Sequence, residues 1–198
     1  MVTRVCVLKS GKEYGPQHVQ WLAAQVPGLV CITLDDVPGV PVVRPRHDWP
    51  GWWAKLNLFD PELIPGDLLY LDLDTVVPGD LAPLEQVGST TMLSDFYHPQ
   101  RPASGLMYIA QADKAAVWRA WLKDPAAHMR RCVTTQCWGD QGFLAGVLNP
   151  QRWQQVLPGA VVSYKVHCRG KGLPAGAAVV CFHGQPRPWA VNEAWVPT

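Results

Sequence analysis

Leu68-Leu69-Tyr70-Leu71-Asp72-Leu73-Asp74-Thr75-Val76-Val77 is the stretch that decides the fold. Its apolar residues read as a buried strand, yet two carboxylates, Asp72 and Asp74, sit two positions apart within it. Residues i and i+2 of a strand point to the same side. Both carboxylates therefore leave in one direction, and Leu69, Leu71 and Leu73 in the other. Two like charges buried side by side are costly unless a cation or hydrogen bonds compensate. A divalent metal is the simplest compensation, because hard cations prefer carboxylate oxygens. The competing reading is a strand that ends at Leu71, with Asp72 and Asp74 as solvated turn residues. The apolar run before the pair and Thr75-Val76-Val77 after it favour the buried reading.

Upstream, Val2 to Leu8 is apolar and β-branched and ends at Lys9-Ser10-Gly11, a strand followed by a loop. Gly15-Pro16 opens a helix, Val19, Leu22, Ala23 and Val26 keep helical spacing, and Pro27-Gly28 stops it. Leu29 to Leu34 is a second strand. Strand–helix–strand favours a parallel sheet with covering helices. The proline-rich 36–50 segment reads as a loop. Trp52 to Phe59 reads as a short helix with Trp52, Leu56 and Phe59 on one face and Lys55 on another.

Downstream, Pro78-Gly79-Asp80 turns the chain, and Thr91 to Leu93 and Gly105 to Ala110 are strands. Asp113 is placed as the N-cap of a helix from Lys114 to Lys123, with Val117, Trp118, Trp121 and Leu122 as its apolar stripe. Gly139-Asp140-Gln141-Gly142 precedes a short helix over residues 143–148. Ala160 to Val166 and Ala177 to Phe182 are late strands, and the tail from Pro186 wraps the surface. There is no internal repeat and no linker that divides the chain, so residues 1–198 are expected to form one domain.

A chain of 198 residues with 48% hydrophobic and 17% charged residues can bury a sizeable core and is not disordered. No apolar run is long enough for a transmembrane helix, and the first strand meets Lys9 too early for a signal peptide, so the cytoplasm is expected. The six cysteines lie mostly in apolar segments and read as small buried hydrophobes. Cys132 and Cys137 have no second close pair, so they read as structural and not as a zinc site. Residues 1–125 hold 10 Lys+Arg against 14 Asp+Glu, a net −4; residues 126–198 hold 7 against 2, a net +5. An anionic ligand near the basic third would explain that asymmetry, and so would a solvated basic rim. Of the ten tryptophans, Trp49, Trp52 and Trp53 are candidates to line a cleft that stacks on a flat ligand or sugar ring.

Six stretches stand in one order: Lys9-Ser10-Gly11-Lys12-Glu13-Tyr14, Trp53-Ala54-Lys55-Leu56-Asn57-Leu58-Phe59, the Asp72/Asp74 strand, Ser104-Gly105-Leu106-Met107, Gly139-Asp140-Gln141-Gly142, and Phe182-His183-Gly184-Gln185-Pro186-Arg187-Pro188-Trp189. In that order they resemble a glycosyltransferase of the GT-A fold, most closely the glycogenin-like glycosyltransferase family 8. The resemblance implies an α/β, Rossmann-like domain with a mostly parallel central sheet flanked by helices. It also implies a metal-dependent transferase that moves a sugar from a nucleotide-diphosphate donor, a UDP-sugar, to an acceptor hydroxyl with retention.

By the same resemblance, Asp72, Asp74 and His183 hold Mn2+ or Mg2+, and Tyr14 packs on the base. Lys55 and Arg187 reach the donor, Arg187 standing where the family has a lysine. Leu8, Ser10, Leu73, Ser104, Gly105 and Gly184 complete the donor site, while Asp140 and Gln141 sit near the transferred sugar. Asp95, at a strand end, either faces the site or is an ordinary turn residue. The chain departs from the family in three ways. His183 directly precedes Gly184, where the family spaces them by two residues. Ala103 replaces an asparagine. The chain is also short for the family, which implies reduced acceptor-binding additions. The acceptor stays open among glycan, protein, small glycoside and modified DNA. A sugar-phosphate nucleotidyltransferase and a non-catalytic nucleotide-sugar-binding protein are the rival readings.

Overall fold

The computed structural model describes residues 2–11 and 13–198; Met1 and Lys12, the latter part of the loop motif above, lie outside them. The first strand, β1 (Thr3–Val7), leads through α1 (Pro16–Ala23) to β2 (Val30–Ile32). Pro16 supplies a first helical turn that needs no N–H donor, and Val19 and Leu22 bury its inner face. The proline-rich segment is not all loop: Val42–Val43 (β3) adds a parallel edge beside β2. β4 (Leu68–Leu71) then returns to the other side of β1, also in parallel.

A seven-stranded sheet results, in the order β3-β2-β1-β4-β7-β6-β8. Its β6 is Thr91–Ser94, β7 is Pro102–Ile109 and β8 is Gln151–Arg152. Only the β4–β7 and β7–β6 pairings are antiparallel. A second sheet, in the order β5-β10-β9, joins β5 (Thr75–Val76), β9 (Val161–Ser163) and β10 (Val179–Cys181).

The alternation along β4 assigns its two faces. Leu69 and Leu71, with Leu73 beyond the strand end, pack with Val19, Leu22 and Val26 of the α1 side. Leu68 and Tyr70 pack on the opposite face with a nine-residue 3-10 helix, Gly51–Phe59, and with later helices. Those are α3 (Gln111–Leu122) and α5 (Gly139–Val147), which follow the short α2 (Ala82–Glu85). Two further short helices, α4 (Pro125–Arg131) and α6 (Trp153–Val156), have too few periodic positions to stand out in the sequence. The tail closes a third apolar cluster, with Val196 buried and Trp21 Nε1 donating to the Pro197 carbonyl at 3.2 Å.

Several expectations change. The strand ends at Leu71, and Asp72–Asp74 form a turn closed by Thr75 N–H donating to the Asp72 carbonyl at 3.2 Å. That turn is not solvated: Asp74 is buried among the walls it joins. The 51–59 helix has period 3.0 rather than 3.6, so residues three apart eclipse. Trp53, Leu56 and Phe59 therefore form the buried ridge, and Trp52 leaves it for an exposed position. α3 begins at Gln111 with Ala110 as its N-cap; Asp113 sits in the first turn and accepts from Thr90 Oγ1 at 2.6 Å. Its stripe is Lys114, Val117, Trp118 and Trp121, the i, i+3, i+4, i+7 set, which leaves Leu122 exposed one step beyond. Lys114 is tolerated there because its Nζ donates to the carbonyls of Ile64 and Gly66 at 2.8 and 2.6 Å. α5 starts at Gly139 and so includes the Asp140-Gln141 pair. β9 is cut short at Ser163 by a wide π-type turn over Tyr164–Cys168.

Trp121 is the hub on the helix side. Its ring stacks on Trp53 (centroids 5.2 Å, planes 15° apart) and meets Trp49 and Phe143 edge-on. Its Nε1 has no hydrogen-bond partner. Trp121→Ala is expected to cost about 3–5 kcal/mol. Trp121→Phe is expected to cost clearly less, since no hydrogen bond is lost; urea unfolding of the two variants checks the order.

Candidate active site

In an open α/β sheet, ligands bind outside the carboxyl ends of the strands, where neighbouring strands connect in opposite directions. Here that point lies between β1, which leads on to β2, and β4 on its other side. A cavity of about 850 Å³ opens there. A smaller one of about 80 Å³, lined by Leu8, Thr33 and Asp35, adjoins it past the end of β1. Leu8 is buried against the smaller cavity. The other donor, metal and catalytic candidates from the sequence all line the larger one, and so does Trp52, but Trp49 and Trp53 do not: their rings pack on Trp121 in the core instead of lining a cleft. Ser10 and Tyr14 come from the β1 loop, and Lys55 from the 3-10 helix. Asp72, Leu73 and Asp74 come from the β4 turn, Asp95 from the end of β6, and Ser104 and Gly105 from β7. Asp140 and Gln141 come from the start of α5, and His183, Gly184 and Arg187 from the stretch after β10.

The carboxylates are held by two cations. Lys55 Nζ is 2.8 Å from Asp72 Oδ1 and 4.0 Å from Asp140 Oδ2. Burial works against the ammonium, but the charges of Asp72 and Asp140 outweigh it and raise its pKa. Arg187 donates through Nη1 to Asp74 and through Nε to Glu13, the latter at 2.9 Å. The Tyr70 hydroxyl donates to Asp72 from the same strand face, two positions back. A Cβ on Gly105 would lie 3.2 Å from Asp72 Oδ2, so this glycine lets the carboxylate settle against β7.

The cations do not neutralise the site. Burial, and then the charge of Asp72, push the Asp74 carboxyl up to about 7 despite Arg187 and Lys55. Burial also raises Asp140, opposed by Lys55 and by the Ser104 hydroxyl. Asp140 Oδ2 is buried without a hydrogen-bond partner. Asp95 lines the cavity but also spends its Oδ1 on the backbone N–H groups of Tyr97 and His98, each at 2.8 Å. It is both a wall and a turn residue.

His183 stands apart from the carboxylate pair. Its Nε2 meets Ser163 Oγ at 2.7 Å, and its ring stacks on Phe96 with planes 15° apart. Burial, helped by the charge of Lys165, lowers its pKa. Among the described residues, no group of three His, Cys, Asp or Glu is placed to hold one metal ion. Asp72 and Asp74 alone fit a hard divalent cation: two carboxylates open on one cavity, and burial, then the charge of Asp72, raises the pKa of Asp74.

Sequence reasoning missed Glu13, Tyr70, Phe96, Tyr97, Ser163 and Trp138. Tyr70 carried a usable signal, since i and i+2 share a strand face. Glu13, Phe96, Tyr97 and Trp138 depend on loop paths that no periodicity reveals, and Ser163 on the pairing of β9 with β10.

The raised Asp74 fixes a sign. An acid whose folded pKa lies above its unfolded value loses stability as pH rises between the two, here from about 4 to about 7. With chelator present, Asp74→Asn is therefore expected to melt above the native protein, by an amount that grows to a few degrees between pH 5 and pH 8. Thermal melts of both proteins at the two pH values measure it; a constant offset would contradict the assignment.

No family model and no curated protein matches the sequence. Solved structures do match in fold. The galactosyltransferase LgtC, solved with donor and acceptor sugar analogs, is 14% identical, with 94% of this chain and 88% of that one covered at a TM-score of 0.57. The glycosyltransferase GlyE of Streptococcus pneumoniae is 15% identical over 98% of this chain at 0.62. The bifunctional glycosyltransferase WbbM is 13% identical over 95% of this chain at 0.55. This chain spans 58% of the GlyE chain and 46% of the WbbM chain. Among the described residues, no helix is long and apolar enough to cross a membrane. The mixed α/β fold, with its seven-stranded, mostly parallel sheet, is that of the GT-A glycosyltransferases.

Proposed function

We propose that the chain is a metal-dependent glycosyltransferase that takes a sugar from a UDP-sugar and gives it to an acceptor hydroxyl with retention of configuration. One observation carries this reading. Asp72, Asp74 and Asp140 converge with Lys55 and Arg187 in one large cavity, at the strand ends where this fold binds ligands. A nucleoside diphosphate leaves only when its developing charge is stabilised.

Asp72 and Asp74 would hold Mn2+ or Mg2+, which supplies positive charge to the diphosphate when bound. Arg187, now on Asp74 and Glu13, is the cation free to exchange a carboxylate partner for phosphate oxygens. Lys55 fixes Asp72 and Asp140 in one frame. Asp140 offers its unpartnered Oδ2 to a sugar hydroxyl. Tyr14, over which the Arg187 guanidinium lies at 5.3 Å, would pack on the uracil in this reading. In the transfer, the acceptor oxygen bonds to the anomeric carbon as the bond from that carbon to the diphosphate breaks. The hydroxyl proton passes to the departing phosphate on the same face. His183 would be a third metal ligand in this reading either through Nδ1, with Nε2 kept on Ser163, or through Nε2 after releasing Ser163.

Asp74 already holds Arg187, and this favours a second reading, donor binding without turnover. Donor hydrolysis decides between the two. Calorimetry with UDP is expected to show binding that Mn2+ strengthens and that the Asp72→Asn/Asp74→Asn variant loses. Arg187→Met is expected to slow hydrolysis of a UDP-sugar about 10²-fold. Metal-independent UDP binding, left intact by the double variant, would refute the reading.

A further inference from the structure

Two indoles stand at the mouth of the cavity, on the wall that carries Asp140. Trp52 and Trp138 are 48% and 51% exposed, and their ring centroids lie 5.8 Å apart with planes 43° apart. Both line the cavity. Large aromatic side chains are seldom left half in water next to one another without a ligand to cover them.

The pair is built, not incidental. Trp52 eclipses Lys55 on the 3-10 helix, so the ridge that delivers the cation to Asp72 also delivers the indole to the rim. Gly139 has φ +58, and a Cβ there would lie 2.9 Å from Trp52 Nε1. Only glycine combines that backbone with that approach, so the Trp52 ring is seated on the first residue of α5. Trp138 is the residue before it and bridges to Val133 across a loop closed by paired Thr134 and Cys137 backbone bonds of 3.1 Å. Asp140, buried and with Oδ2 unpartnered, follows directly.

We infer that Trp52 and Trp138 form the acceptor subsite, and that the acceptor is a carbohydrate presenting a pyranose ring; this rests on the glycosyltransferase reading above. The electron-rich faces of indoles suit the apolar C–H face of a pyranose. The charge at this wall disfavours a phosphate-bearing acceptor: Asp140 is acidic, and Lys55 is already engaged by two carboxylates. The nucleotide does not need this wall, because Tyr14 and Arg187 stand together on the β1 side of the cavity.

Saturation-transfer NMR with methyl glucosides, galactosides and mannosides and the corresponding disaccharides tests the subsite, with UDP and Mn2+ present. A parallel UDP titration is run on each protein. At least one pyranoside is expected to bind the native protein. Trp138→Ala is expected to weaken it at least tenfold and Trp138→Phe by less, with UDP affinity within twofold of native in both. If UDP binds and no pyranoside does, the subsite is refuted and the donor reading stands. If Trp138→Ala instead weakens UDP to the same degree, the indoles serve the donor and the subsite is refuted. If neither UDP nor any pyranoside binds the native protein, the donor reading fails and the subsite fails with it.

Discussion

A shortage of positive charge governs this site. Five carboxylates, Glu13, Asp72, Asp74, Asp95 and Asp140, line one cavity, and Lys9, Lys55 and Arg187 are the cations along its described walls. Lys9 is already spent on Asp48. Lys55 is shared between Asp72 and Asp140, and Arg187 between Asp74 and Glu13. Each bridge joins parts of the chain far apart in sequence: the 3-10 helix to the β4 turn and α5, and the stretch after β10 to the β1 loop. Removing Lys55 would leave the buried Asp140, and removing Arg187 the buried Asp74, without its cation, an outcome costlier than losing a surface pair. The folded shape of the cavity and its electrostatics are therefore one problem. A diphosphate, itself an anion, enters such a space only with positive charge brought from outside, which is the physical case for a divalent ion at Asp72 and Asp74.

The fold, and the residues that gather in the cavity, were in good part readable from the sequence. Apolar β-branched runs and one strand–helix–strand unit were enough for the parallel half of the sheet around β1. Asp72 and Asp74 were conspicuous as carboxylates in an apolar run, whereas Lys55, Asp140 and Arg187 were singled out only by the motif order of the resemblance; all of them line one cavity. What stayed hidden had weak local signal. β3 and β8 have two residues each and exist only because a neighbouring strand offers a partner. β6 and β7 pair antiparallel through a bulge at Met92/Leu93, which no period announces. Asp113 looked like a cap, but the chain turns three residues earlier, after β7 ends, and Thr90 takes its carboxylate.

The sharpest misreading concerned Asp72 and Asp74 themselves. Strand alternation put both carboxylates on one face, but the strand stops at Leu71. The alternation holds where it was backed by packing: Leu69, Leu71 and Leu73 share a cluster, and Tyr70 reaches Asp72. Asp74 lies past the strand's end, where a turn and not a pleat carries the chain into β5, yet it opens on the same cavity as Asp72. Asp72 and Asp74 diverge enough to take different cations while staying close enough for the charge of one to raise the pKa of the other.

Helix type matters in the same way at Gly51–Phe59. With 3.6 residues per turn, Trp52 and Lys55 would be offset by about 60° around the axis. With 3.0 they eclipse. Trp52 and Lys55 then reach the cavity from one side of the helix, while Trp53, Leu56 and Phe59, with Ala54 and Leu58, enter the core, where Trp53 stacks on Trp121. The tight helix is held by that aromatic packing and by Asn57, whose side-chain amide donates to the carbonyls of Ala54 and His47 at 3.0 and 3.2 Å. The placement of Lys55 against Asp72 thus depends on apolar contacts on the far side of the helix. So does that of the indole beside it, and the charge balance of the cavity is set from within the core.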